Sequence, residues 1–424
     1  MTIKANSRYF ERHLITWSED EHKIKVDFDF AQTFDVKHGD QHNETERTSR
    51  TVMGGIIRGR LGQHFNFYIH AQNTLHKGTD ITEESFSPQC GAPITISGKN
   101  VYSDDAWAYL TYTRHWFQFE FGRDNIKWGP GRRGSLMISA ENPLFEMIKL
   151  KFKFNRFKFT SFHGWLHSGN SNKYLAGHRL ELKVFPWLYI SGSETIIYGN
   201  RNIEMSYLNP IMPYHVAEHH LGDKDNNAMA FDMTIFPFRN NKFYFELFLD
   251  DFTTAENPFT YYGNKWAFLI GQRWVTPFGL KNADIQWEYT RIEPYVYTHK
   301  DSANTYQNYD KSIGHWLGPN SDDLFIEMGY ILNRDLSIAL STERIRRGDG
   351  DINIPHTSDD PKEKKFLSGT VETKWSFGFS VTDQLFRDIF LSLNYYYIKT
   401  DNLDRKEGVQ SDDSRASLQL IVNW

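Results

Sequence analysis

A single cysteine, Cys90, is present among 424 residues, so no intrachain disulfide can form. No CxxC or Cys/His spacing offers a zinc site either, and no metal is expected. Long apolar runs are missing too. No segment approaches the roughly 18 consecutive apolar residues of a membrane helix, which excludes a helical membrane protein. The first residues, MTIKANSRYFERHLITW, lack the apolar core of a secretory signal, which leaves a cytoplasmic protein or a chain given without its export signal. Basic charge is not in excess. A net charge of −5 leaves no footprint for nucleic acid, which is disfavoured as a partner. A Gly-rich phosphate loop, a G-x-S-x-G elbow and cofactor signatures are all absent, so no cofactor is expected.

Aromatic residues, by contrast, are plentiful at 16%, while the mean hydropathy is negative. Phe, Tyr and Trp fit a pleated, half-buried surface better than a helix, so a β-rich protein is expected. Alternation confirms that expectation at the level of local pattern. In KIKVDFDF, Ile24, Val26, Phe28 and Phe30 share one face and Lys25, Asp27 and Asp29 the other. In NKFYFELFLD, Phe243, Phe245, Leu247 and Leu249 oppose Tyr244, Glu246 and Asp250. NADIQWEYTR and the final ASLQLIVNW repeat the pattern. About eighteen such segments occur, among them residues 23 to 35, 50 to 61 and 367 to 379.

The connections decide the architecture. They alternate long and short from end to end: VKHGDQHNETERTS is followed by LGQ, and the long stretch around Cys90 by Arg114 and His115. Short turns at one end and long loops at the other are the pattern of an outer-membrane barrel. The fold class is therefore all-β: a transmembrane antiparallel β-barrel of about eighteen strands with long extracellular loops and short periplasmic turns. Residues 1–22 are expected to be a periplasmic N-terminal remnant and residues 23–424 the barrel. Charges would then line a wet lumen. Lys149, Lys151, Lys153, Arg156 and Lys158 are expected on its wall, either screened by carboxylates such as Asp27, Asp29, Glu246, Asp284 and Glu288, or as a basic track for an acidic glycan. Eighteen strands enclose an aqueous interior unless inward-folding loops fill it.

Three outer loops hold the distinctive clusters. They follow the fifth, ninth and thirteenth segments and gather at one end of the barrel. GRDNIKWGPGRRGSL, YLNP, EHHLGDKDN, EYTRIEPYVYTH and GPNSD, in that order, resemble the Wzi-type capsule-assembly family of outer-membrane proteins, from about Lys23 to Trp424. The resemblance implies a many-stranded barrel acting as a lectin for capsular polysaccharide and tying exported polymer to the cell surface. Outer-membrane lipid and capsule export machinery are the further partners it implies. Family members carry a signal peptide and an N-terminal helical plug; residues 1–22 are too short for both, so a truncated start is expected.

The loop residues have the chemistry a glycan site needs. Rings stack on the C–H faces of sugars, amides and carboxylates read hydroxyls, and guanidinium groups fork onto uronic or sialic carboxylates. The candidate polysaccharide-binding residues are Asp124, Asn125, Trp128, Arg132, Arg133, Tyr207, Asn209, Asn226, Arg291, Tyr295, Tyr297, Trp316, Asn320 and Asp322. Each has a plainer reading: the tryptophans as loop packing, the Asp and Asn residues as turn formers, the arginines as partners of Glu141 or other loop carboxylates. Trp287, Tyr289 and Trp424 fit an aromatic girdle at the membrane interface.

HVAEH, with His215, Glu218 and His219, matches a zinc-protease spacing, but flanking Pro210, Pro213 and Gly222 leave room for only a short helix. Asp223, Asp225 and Asn227 have calcium-loop spacing without the distal Glu. No enzymatic activity is expected. The alternative function is a porin for sugars or small solutes, in which the long loops form a constriction.

Overall fold

The computed structural model describes residues 2–5, 13–41, 44–79, 91, 95–97, 99–169 and 171–423; Cys90 and Trp424 lie outside them. Eighteen antiparallel strands close into a barrel. They are β1 Ile24–Gln41, β2 Glu44–Leu61, β3 Phe65–Gly78, β4 Asn100–Thr113, β5 Phe117–Asp124, β6 Phe145–Phe154, β7 Phe157–Leu166, β8 Lys173–Phe185 and β9 Leu188–Gly199. Then follow β10 Asn226–Ile235, β11 Asn241–Asp251, β12 Lys265–Val275, β13 Ala283–Ile292, β14 Ser321–Ile331, β15 Leu336–Arg347, β16 Glu372–Phe386, β17 Ile389–Asp401 and β18 Gln410–Asn423. Each strand pairs with the next, and β18 closes on β1 with Leu420 opposite Phe34. Closure leaves no edge, which is what a lipid environment demands of backbone N–H and C=O groups.

The described residues before β1 add to its rim. Thr2–Ala5 pairs with Ile15–Glu19, and Ile15–Glu19 pairs with Ile24–Phe28. It thereby occupies the stretch of β1 that β18, ending opposite Ala31, does not reach.

The alternation seen in the sequence sorts the two surfaces. In β11, Tyr244, Glu246, Phe248 and Asp250 are buried inside the barrel, while Phe243, Phe245, Leu247 and Leu249 face outward. All eighteen expected segments are strands, in order. Two boundaries differ for a physical reason. β1 and β2 run on through most of VKHGDQHNETERTS, because above the apolar band both faces of a strand are wet and the period-two contrast vanishes. The segment expected at 367 to 379 lies at Glu372–Phe386, since Leu367 is held in a loop by the Asn320 side chain.

The expected lysine row stands against carboxylates. Lys149 contacts Glu120 and Asp124, Lys151 lies 3.9 Å from Glu120, and Lys158 pairs with Glu181 at 2.6 Å. This is the screened arrangement, and Arg179 with Asp232 at 2.6 Å extends it. Lys153 and Arg156 are exposed. The lumen is not wet throughout. On the β6–β14 side its outer half is an apolar core in which Met147, Phe162, Leu175, Ile197, Phe248 and Leu269 receive the inward-folded loops.

Candidate functional site

The loop after β5, residues 125–144, folds into the barrel rather than standing above it. Two carboxylates on distant strands dictate that path. Glu288 accepts the backbone N–H groups of Arg132 at 2.7 Å and Arg133 at 2.9 Å, and also the Tyr244 hydroxyl at 2.7 Å. Glu246 accepts those of Leu136 at 3.1 Å and Met137 at 3.0 Å. Gly129 passes directly over Glu246 with φ at 130°, where a Cβ would collide with the carboxylate. That position requires glycine.

The loop after β13, residues 293–320, lies over the first and holds it down. Tyr297 donates to the Leu136 carbonyl at 2.7 Å, Tyr306 to the Met137 carbonyl at 2.8 Å, and the Trp316 indole to the Arg133 carbonyl at 2.7 Å. Leu136, Met137, Tyr297 and Tyr306 are fully buried. Burial of each such side chain contributes about 1.5–3 kcal/mol. His315 sits in the same core, and burial together with the Arg133 charge pushes its pKa down to about 3. It is a neutral imidazole at physiological pH.

This packing fixes the places of the predicted residues. Trp128 is buried, edge-to-face with Phe162 at 5.2 Å. Arg132 pairs with Glu327 at 2.8 Å and Gln286 at 2.6 Å, and Arg133 with Glu343, its guanidinium 4.8 Å from the Phe325 ring centre. Asp124 accepts from Lys149 at 3.2 Å, and Asn125 donates to the Ala140 carbonyl at 3.2 Å. Asn320, buried with φ at 56°, accepts from Leu367 N at 2.7 Å and donates to the Asp349 carbonyl and Ser368 Oγ, so it ties down the loop after β15. Asp322 bonds Arg346 and Tyr289 on the outer face of the wall. Tyr289 and Trp287 both face outward, as a girdle requires. Arg291 bonds Glu293 and lies 3.9 Å from the Phe366 ring centre. Tyr295, half-buried with φ at 67°, meets His356 edge-to-face.

The loop after β9, residues 200–225, takes a different course. Its helices α1 Met205–Leu208 and α2 Tyr214–His220 lie on the outer wall of the barrel. Tyr207 is buried there and donates to Asp225 at 2.7 Å, while Asn209 accepts from Ile211 N at 3.2 Å. Asn226 donates to the Asn304 carbonyl at 2.8 Å. Glu218 is buried whereas His215 and His219 are exposed, and among the described residues these three do not bring their ligand atoms together for one ion. Both Asp225 oxygens are taken by Arg201 and Tyr207. The calcium-type spacing therefore serves an ion pair.

What remains open is a vestibule of about 940 Å³ between these loops and the outer ends of β15–β18. Trp316 stands on its wall with one edge buried, the Arg347 guanidinium 5.9 Å and that of Arg133 5.7 Å from its ring. Arg405 crosses above, donating to the Gly348 and Gly350 carbonyls at 3.4 and 3.3 Å. The rest of the charged lining is mixed: Lys311, Lys374 and Arg415 stand among Glu141, Asp310, Asp351, Glu372, Asp404 and Asp413. A second hollow of about 600 Å³ holds Tyr295 and shares Gly350, Asp351 and Arg405 with the first. Thus Trp316 and Arg133 come together, Tyr295 lies across the 348–354 segment, and Tyr207 and Asn209 are on another face. Motif reading does not find Arg347, Lys374 and Arg415, whose only trace is the polar face of the last strands, nor Arg405, which lies in the loop before β18. Deeper in, a cavity of about 450 Å³ shares Glu141, Lys374, Ile398 and Arg415 with the vestibule.

Known proteins agree with this architecture. The family model described as capsule assembly protein Wzi matches residues 25–414. Among solved structures, the chain is similar to Wzi of Escherichia coli, described as an outer-membrane protein involved in group 1 capsule assembly and a carbohydrate-binding β-barrel. The TM-score is 0.62 at 14% identity, covering 93% of this chain and 84% of that one. It is also similar in fold to the Pseudomonas aeruginosa barrels OccK8 (OprE), with TM-score 0.54, 11% identity and coverage of 94% and 98%, and OccD3 (OpdP), with 0.52, 11%, 94% and 91%. No curated protein matches the sequence. With an eighteen-stranded closed barrel, inward-folded loops after β5 and β13, and a family match over nearly all of its length, the chain belongs to the Wzi family of outer-membrane capsule assembly proteins.

Proposed function

We propose that this barrel binds capsular polysaccharide in the outer vestibule and so helps to anchor or assemble the capsule at the cell surface. The observation that carries the reading is the Trp316 ring on the vestibule wall with Arg347 over it and Arg405 nearby. An indole offers an apolar plane for the C–H face of a sugar, and the guanidinium groups offer paired donors for hydroxyls or uronic carboxylates. The family and the carbohydrate-binding description of the similar Escherichia coli protein support it. Of the candidates read from sequence, Trp316, Tyr295 and Arg291 belong to the accessible surface. Arg132 and Arg133 face the deeper cavity, and Trp128, Tyr207, Asn226, Tyr297, Asn320 and Asp322 shape and brace the loops.

Titration of purified capsular polymer with the folded, detergent-solubilised protein tests the reading. Trp316→Ala and Arg347→Ala should each weaken binding about tenfold or more, which is about 1.4 kcal/mol. Wild-type affinity in both variants contradicts the site. A second reading, a solute channel, is favoured by one observation, the continuity of the vestibule with the deeper cavity along β14–β18. Steady ion conductance in planar bilayers, with no polymer retention, would select it.

A further inference from the structure

The loop after β9 covers part of the surface that the barrel turns toward lipid. Its Tyr207, Tyr214 and Ala217 pack on Tyr174, Ala176 and Ile196, which face outward from β8 and β9. Glu194, also outward, fixes the start of α2 by accepting Tyr214 N at 3.0 Å and His215 N at 2.7 Å, and it pairs with His178 at 2.9 Å. Depth follows from strand length. β7 has 10 residues. At about 3.3 Å per residue and a tilt of about 40°, such a strand rises about 25 Å, close to the height of the apolar band of an outer-membrane barrel. The helices cover the wall from His178 and Glu194, level with Ser161 and about halfway up, to Tyr174 and Tyr198 near the top, which places them beside the outer leaflet.

The side chains that the loop turns away from the wall suit that position. Met205 is 73% and Ile211 78% exposed, and Val216 and Leu221 are exposed as well. Exposed apolar side chains on a short helical segment at a membrane boundary are the mark of an interfacial element. Just beneath the loop runs a groove of about 730 Å³ lined by Phe152, Phe159, Leu180 and Met229, with Ile211 at its roof. Gly192 leaves its floor open, since a Cβ there would meet no atom within 4 Å. The groove has the volume of a small-molecule pocket and is continuous with the lipid-facing wall.

We propose that this groove, which runs below mid-height on the wall, holds one acyl chain of a membrane phospholipid and that residues 200–225 form its roof. The site is on the opposite side of the wall from the polymer vestibule and does not depend on it.

Native mass spectrometry of the whole chain in detergent, after addition of dipalmitoyl phosphatidylethanolamine, tests the proposal. One lipid should remain bound per barrel at collision energies that strip detergent, and Gly192→Phe, which fills the groove, should lose it while keeping the heat-modifiable migration of a folded barrel. Ile211→Asp, in the loop and outside every strand, should also lose it and serves if the phenylalanine variant fails to fold. No retained lipid in the wild type overturns the proposal, as does a lipid that persists in the folded variants. Retention only of a lipid-linked polymer, and not of the membrane lipid, overturns the assigned occupant.

Discussion

Replacing Glu246 by Leu should release the first inward loop while leaving the barrel intact. Glu246 is fully buried and accepts two backbone N–H groups, those of Leu136 and Met137, both fully buried themselves. Leucine keeps the side-chain bulk but offers no acceptor, and water does not reach the two donors. An orphaned buried donor costs about 1–3 kcal/mol, so the pair should weaken docking of residues 132–138 by about 2–6 kcal/mol. The strand ladders of β10, β11 and β12 use backbone groups that the substitution does not touch. Amide exchange across 132–138 should therefore accelerate by about 30-fold to about twenty-thousand-fold, with exchange in the strands unchanged. Conductance through the lumen should rise in parallel, because the loop no longer fills its outer half. Unchanged protection in a folded Glu246→Leu barrel would refute the view that buried carboxylates direct the loop inward.

Other consequences are equally direct. His315 is held neutral with a pKa of about 3, against an ordinary value near 6.5, so the unfolded loop binds the extra proton and the folded one does not. Stability of the plug should thus be greatest above about pH 6.5 and fall by about 1.4 kcal/mol for each pH unit below it, and His315→Gln should remove that slope in exchange measurements. Asn320→Ala removes three contacts to the 348–368 segment and should raise its protease sensitivity without changing the melting of the barrel. Leu420→Arg, on the outward face of β18 opposite Phe34, should cost about 2–4 kcal/mol near the bilayer midplane and impair insertion. Refolding yields into vesicles compare the two, and equal yields would argue that Leu420 does not face lipid.

The barrel was legible because its signal is local. Alternation in β11 or β13 is written in ten consecutive residues, and the change from turn to long loop repeats along the chain. The direction in which the loops fold was not legible. Whether Trp128 stands in water or in a core depends on Glu246 and Glu288, which are more than a hundred residues away and look in the sequence like ordinary lumen charges. The same holds for the loop after β9, whose course over the outer wall is set by outward Glu194 and the aromatic face of β8 and β9. Glycan chemistry read from residue type alone therefore gathered braces and surface groups into one list. Arg347, at the end of β15, and Arg405, in the loop before β18, escaped it because charged strand ends and polar loops carry no motif. Trp316 satisfied both readings, since its indole N–H clamps the plug while its ring lines the vestibule.

The measurement that tests the central claim most directly is retention of the source cell's purified capsular polysaccharide by the folded, detergent-solubilised barrel, beside an unrelated neutral glycan. The account predicts selective binding of the capsular polymer that Trp316→Ala weakens. A folded barrel that retains neither polymer, or both alike, would contradict it.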